Sequence, residues 1–195
     1  YKGISKYDVK KDFFVNYYSG DGLQGNEFTH GAYYKDEDGK IYFGGINGIT
    51  SFSPRKINTD AKELKVYITD FYVYSDPVHK NTLSDGTPII FSSVQDANIF
   101  QLSYRDNTFS IAFSTLQYNN PEQIAYQYKI DELSNQWAVT EPGVNRVTYN
   151  NLFPGKYTFR VRALNHGNYS EVRTIKILIA SPWYKTWWAY CIYIG

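Results

Sequence analysis

Acid–base, nucleophilic and metal chemistry draw on a short menu of side chains, and this 195-residue chain offers few of them in a useful arrangement. His30, His79 and His166 lie far apart in sequence, and none stands at ligand spacing from a cysteine or an acid. The single cysteine, Cys191, has no partner for a disulfide. Asp36–Glu37–Asp38–Gly39 has the acidic texture of a calcium loop but lacks the distal Glu, which leaves a solvated hairpin. Gly20–Asp21–Gly22 and Gly44–Gly45 are followed by neither Lys–Ser/Thr nor a helix, so they are not phosphate loops. No serine sits in a nucleophile elbow. Asp131–Glu132 could flank a glycosidic bond, but neighbouring acids are common in any chain of this length. The expectation is a non-catalytic chain with no metal and no cofactor.

The elements around these residues read as strands. Successive side chains of a strand face opposite sides of the sheet, so alternation of apolar and polar residues marks a half-buried strand. Phe109, Ile111 and Phe113 alternate with Ser110 and Ala112, and Tyr126, Tyr128 and Ile130 with Gln127 and Lys129. Tyr157, Phe159, Val161 and Ala163 alternate with Thr158, Arg160 and Arg162, and Ile175, Ile177 and Ile179 with Lys176 and Leu178. Between Val66 and Tyr74 the phase slips, which predicts a bulge near Thr69–Asp70. Turn clusters such as Asn47–Gly48, Ser84–Asp85–Gly86 and Pro154–Gly155 separate these runs. No long stretch has a helical period, so the fold class is all-β, a sandwich or propeller.

Composition sets further bounds. The chain is 43% hydrophobic and 20% charged, a globular composition, and its net charge of +1 removes the electrostatic argument for nucleic acid. Met is absent and residue 1 is Tyr, which leads to the expectation of a piece cut from a longer protein. A Gly-rich texture up to Pro54 gives way to longer, β-branched strands after a polar stretch, so the expected units are 1–57 and 62–181 with a tail over 182–195. In that tail Trp183, Tyr184, Trp187 and Trp188 surround Lys185, the pattern of an aromatic belt at a membrane–water interface. A membrane span is expected to begin near Trp187, and the alternative is a last strand covering the sandwich edge.

Two segments resemble a known family. Phe43–Gly44–Gly45–Ile46–Asn47–Gly48–Ile49–Thr50–Ser51–Phe52–Ser53–Pro54 is similar to the blade motif of the two-component-regulator propeller. The stretch from Leu102 to Tyr184 resembles the three-Y domain that follows such propellers. Its marks are Phe109–Ser110–Ile111–Ala112–Phe113, Tyr126–Gln127–Tyr128–Lys129–Ile130 with Trp137, and Tyr149 through Val161. The chain departs from the family at Glu132, in a turn where Gly is common. The resemblance implies an immunoglobulin- or fibronectin-like sandwich preceded by a partial propeller blade. It further implies the periplasmic sensor and signal-relay portion of a hybrid sensor kinase from Bacteroides-type bacteria, anchored in the inner membrane of a Gram-negative cell. A homodimer through the sandwich and an oligosaccharide bound by the full propeller or its junction with the sandwich are the implied partners. The alternative is a carbohydrate-binding or adhesion module without kinase output.

Individual roles follow from physics within that frame. Leu152–Phe153–Pro154–Gly155–Lys156–Tyr157 reads as a corner in which the Tyr157 hydroxyl bonds back to upstream backbone. Tyr128 and Tyr149 are expected in the core or at corners, and Trp137 as the large core residue of the sandwich. Asn26, Glu27 and His30 follow a turn where an inner propeller strand would begin. They are the candidate ligand-facing residues, against the alternative that they hydrogen-bond neighbouring loops.

Overall fold

A computed structural model describes residues 2–9, 12–57, 65–116, 124–165 and 168–182. The chain divides into two compact units, one built chiefly from residues 1–63 and the other chiefly from residues 64–195. The strands of the first unit are Ile4–Asp8 (β1), Phe13–Tyr17 (β2), Phe28–Lys35 (β3), Ile41–Gly45 (β4) and Gly48–Phe52 (β5). Those of the second begin with Tyr67–Val73 (β6), Asp76–Pro77 (β7), Leu83–Ser84 (β8), Thr87–Pro88 (β9), Ile99–Leu102 (β10) and Phe109–Ser114 (β11). They continue with Ala125–Ile130 (β12), Ala138–Val139 (β13), Arg146–Tyr149 (β14), Gly155–Asn165 (β15), Asn168–Tyr169 (β16) and Arg173–Ile179 (β17). Among the described residues the helical content is two short 3-10 turns, Ser19–Asp21 and Pro54–Lys56.

The first unit holds a β1–β2 hairpin and a β3–β4–β5 antiparallel meander. Within the meander Phe43 stacks on Phe52 and meets Phe28 edge-on, both at 6.1 Å between ring centroids. Among its described residues Val15 is the buried hydrophobic side chain, while Phe14, Tyr33, Tyr34, Ile46 and Ile49 are exposed. A propeller blade buries its faces against neighbouring blades rather than within itself. Among the described residues this meander encloses little interior of its own.

The second unit is a sandwich. One sheet runs β10–β17–β15–β12–β13 with β16 beside β15, and the other runs β14–β11–β6–β7. Pairing is antiparallel except that β10 runs parallel to β17. The core between the sheets is aromatic and aliphatic: Phe71, Phe100, Phe109, Phe113 and Phe159 are fully buried among Ile111, Ile130, Val161, Ile175 and Ile177. Phe71 of one sheet stacks on Phe100 of the other at 4.3 Å and on Phe109 at 5.4 Å.

The slip of phase in β6 has its physical cause in the pairing with β11. Ala112 faces Asp70 and Phe113 faces Ile68, so Thr69 is the extra residue of a bulge. That residue turns Ile68 and Phe71 to the same inner face, where both are fully buried. The short strand β7 closes its sheet with Pro77, a residue that spoils an edge for further pairing.

Candidate functional site

In the first unit, Gln24 organises the loop that carries the proposed ligand-facing residues. Its backbone nitrogen donates to Thr50 Oγ1 at 2.9 Å, its Nε2 to the Glu27 carbonyl at 2.9 Å, and its Oε1 accepts from the Asn47 nitrogen at 2.9 Å. One side chain thus fixes residues 24–27 on the β4–β5 turn. Asn26 is half-buried: its Oδ1 accepts from the Ser19 nitrogen at 2.7 Å, and its carbonyl accepts from the Gly3 nitrogen at 2.7 Å. That carboxamide fastens the loop to Ser19. Glu27 and His30 are exposed, His30 within the irregular stretch of β3 where the register with β4 jumps from Phe28 to Tyr33.

In the sandwich the four named aromatics occupy three different settings. Tyr157 is buried and its hydroxyl donates to the Phe153 carbonyl at 2.7 Å, closing the turn that feeds β15. Phe153 itself is exposed, so water can replace the lost donor. Tyr157→Phe is therefore expected to cost about 1 kcal/mol in urea unfolding, the net value of one hydrogen bond, without altering the fold.

Tyr128 and Tyr149 are partly buried against the core. The ring of Tyr149 lies 5.7 Å from Phe109 and meets Phe159 edge-on at 6.2 Å. With Leu133, Ser134, Gln136 and Trp137 the two tyrosines line a hollow of about 290 Å³. Burial, then the nearby Tyr128, raises the pKa of Tyr149 well above the ordinary phenol value. A phenol whose pKa is raised by folding stays neutral in the folded state while the unfolded chain ionises near pH ~10. Its contribution to stability is intact below that pH and is lost as pH climbs toward the folded-state value. Tyr149→Phe should flatten the alkaline limb of a stability-versus-pH curve; an unchanged limb would mean the phenol is not desolvated.

Trp137 is not in the core. It is half-buried on the outer face of the larger sheet, with the Arg162 guanidinium 4.5 Å from its ring centroid and the Lys129 ammonium 5.4 Å away. The correction has a geometric reason. Tyr128 pairs with Ala138, so the outward phase that holds Lys129 on β12 extends to Trp137, one residue before β13. Arg162 also lies 4.1 Å from the centre of the Tyr169 ring, and Gln127 Oε1 accepts from its Nε at 2.9 Å and its Nη2 at 2.6 Å. Beside this stack Asp131 receives Lys129 at 2.8 Å and Arg160 at 2.6 Å, and these two cations hold its carboxyl below the ordinary carboxylate range. Glu132, where the family pattern favours Gly, accepts from the Thr158 nitrogen at 2.7 Å and from its hydroxyl at 2.9 Å. The side chain straps the turn to β15.

Trp183, Tyr184, Trp187 and Trp188 lie outside the described residues, as do His166 and Cys191. Among the described residues no helix is long and apolar enough to cross a membrane, and no group of three His, Cys, Asp or Glu is placed to hold a metal. The described residues offer packing, hydrogen bonding and an aromatic-lined hollow.

Residues 117–180 match the Y_Y_Y domain family. Over 195 residues the chain is 28% identical to histidine kinase P4 of Formosa agariphila, spanning 98% of this chain and 14% of that protein. It resembles the extracellular domain of BT3049 from B. thetaiotaomicron, described as a hybrid two component system, with 27% identity and a TM-score of 0.69. That likeness covers 92% of this chain and 24% of the other. The extracellular domain of BT4673 from the same organism shares the fold at 22% identity and a TM-score of 0.56, over 93% of this chain and 23% of that one. The chain thus spans a quarter or less of each relative's length. The Y_Y_Y match takes in Tyr128, Trp137, Tyr149 and Tyr157, and therefore both the corner and the hollow.

Proposed function

We propose that the chain is the sensor and signal-relay part of the extracytoplasmic region of a membrane-bound two-component regulator, lying in the periplasm of a Gram-negative cell. The observation that carries this reading is the likeness over 92% of the chain to the extracellular domain of BT3049. The kinship with a histidine kinase over nearly the whole chain supports it. In this reading a glycan fragment binds a propeller to which β3–β5 contribute, and the exposed side chains of Glu27 and His30 face it. The Y_Y_Y sandwich passes the change to a membrane helix that begins after Trp187, and two copies associate through their sandwiches so that paired helices shift. A relay needs two states that differ in ligand affinity, because equal binding to both transmits nothing.

The reading is tested by calorimetric titration of an oligosaccharide set against two proteins: this chain alone, and an ectodomain that continues upstream through the full propeller. Binding by the longer protein alone supports the assignment. Equal binding by both would favour a self-sufficient carbohydrate-binding module and overturn it.

A further inference from the structure

Asn47 is the one asparagine in the sequence that is followed by glycine, and its setting in the β4–β5 turn gives that pair a chemical consequence. We propose that Asn47 is a site of spontaneous post-translational modification, converting through a succinimide to aspartyl and isoaspartyl forms in the folded chain.

The step needs no partner but water. The Gly48 backbone nitrogen gives up its proton and attacks Cγ of Asn47; the N–Cγ bond forms, the Cγ–Nδ2 bond breaks, and the amide leaves as ammonia. Water then opens the five-membered imide at one carbonyl or the other. Opening at one restores an ordinary aspartate, and opening at the other routes the main chain through the former side chain, adding a methylene to the backbone.

Three observations favour reaction at this residue. Asn47 and Gly48 are both exposed, so water and hydroxide reach the turn. Gly48 has φ +126°, and nothing lies within 4 Å of where a Cβ would stand, so no side chain at this residue crowds its nitrogen, which attacks once the turn opens its pairing with Gly45. The turn belongs to a meander with little buried interior, whose local opening is correspondingly easy. Other asparagines are placed differently: Asn16 accepts from Ser5 Oγ and precedes Tyr17, Asn26 accepts from Ser19 and precedes Glu27, and Asn98 accepts from Arg173 and precedes Ile99. In each the following side chain crowds the attacking nitrogen.

The product acts on the loop described above. The Asn47 nitrogen donates to Gln24 Oε1, and the Asn47 carboxamide lies over Gly25, its Nδ2 3.1 Å from where a Cβ there would sit. A carboxylate in that place sets negative charge over Gly25, and the extra backbone atom of the isoaspartyl form breaks a turn that pairs Gly45 with Gly48. Both changes loosen the fastening of residues 24–27.

The test is peptide mapping by mass spectrometry. The 195-residue chain is held folded in warm, mildly alkaline buffer, and the same chain is held in denaturant. Isoaspartate is labelled with protein isoaspartyl methyltransferase. The folded chain should gain about one mass unit and a methyl label on the peptide containing Ile46–Ile49. Conversion there should run at least about tenfold faster than at any other asparagine, a barrier difference of roughly 1.4 kcal/mol, and Asn47→Gln should abolish the signal. Conversion in denaturant with none in the folded chain would mean that the turn protects Asn47 and would overturn the proposal. Equal conversion at several asparagines would overturn it as well.

Discussion

Phe71→Ala is expected to lower the unfolding free energy of the sandwich by about 3–5 kcal/mol, the cost of emptying an aromatic site in a packed core. The side chain is fully buried, and its ring touches both sheets through Phe100 at 4.3 Å and Phe109 at 5.4 Å. Stacked neighbours cannot slide into the vacancy without losing their own contacts, so the cavity remains largely open. Against a total domain stability of about 5–15 kcal/mol, such a loss moves the urea midpoint far enough to be unmistakable. A loss below about 1 kcal/mol would mean that Phe71 does not bridge the sheets.

Gly45→Ala is expected to destabilise the β3–β5 meander by about 3 kcal/mol, the upper end of overpacking costs. A Cβ at residue 45 would collide with the Gln24 carboxamide nitrogen and with the Glu27 carbonyl oxygen. The first could swing away. The second is backbone in the loop that Gln24 fastens, so relief requires moving the loop or the strand. Amide exchange in β4 and β5 should accelerate accordingly, since exchange reports local opening. Unchanged protection there would show that the loop yields at little cost.

Both substitutions rest on features with unequal visibility in the sequence. The strands β12, β15 and β17 are legible because burial on one face writes itself as alternation, whereas β11 is buried on both faces and is legible because the small Ser110 and Ala112 separate Phe109, Ile111 and Phe113. The bulge at Thr69 was legible for the same reason, since an extra residue inverts the alternation beyond it. The Tyr157 corner was readable because donor and acceptor are four residues apart. Pairings between distant segments leave no local trace: the parallel match of β10 with β17 joins residues more than seventy positions apart.

Trp137 shows the limit of arguing from residue type. Its size suggested the core, whereas its position in the phase of β12 and β13 puts it outside, beneath Arg162 and Lys129. Gln127 and Arg162 are direct partners across β12 and β15, and their pairing places the stack on that outer face. Asn26 illustrates a different limit. A polar residue after a turn is equally suited to a ligand or to a loop, and only the fold brings Ser19 to it.

In the proposed reading the sandwich transmits a signal rather than receiving it. This role is tested most directly by ligand-dependent autophosphorylation of an intact receptor that contains this chain, compared with one in which residues 64–182 are replaced by a flexible Gly/Ser linker. The account predicts that the linker receptor keeps its ligand affinity within about threefold, or roughly 0.7 kcal/mol, and loses the ligand-dependent phosphorylation. Undiminished phosphorylation from the linker receptor would contradict it.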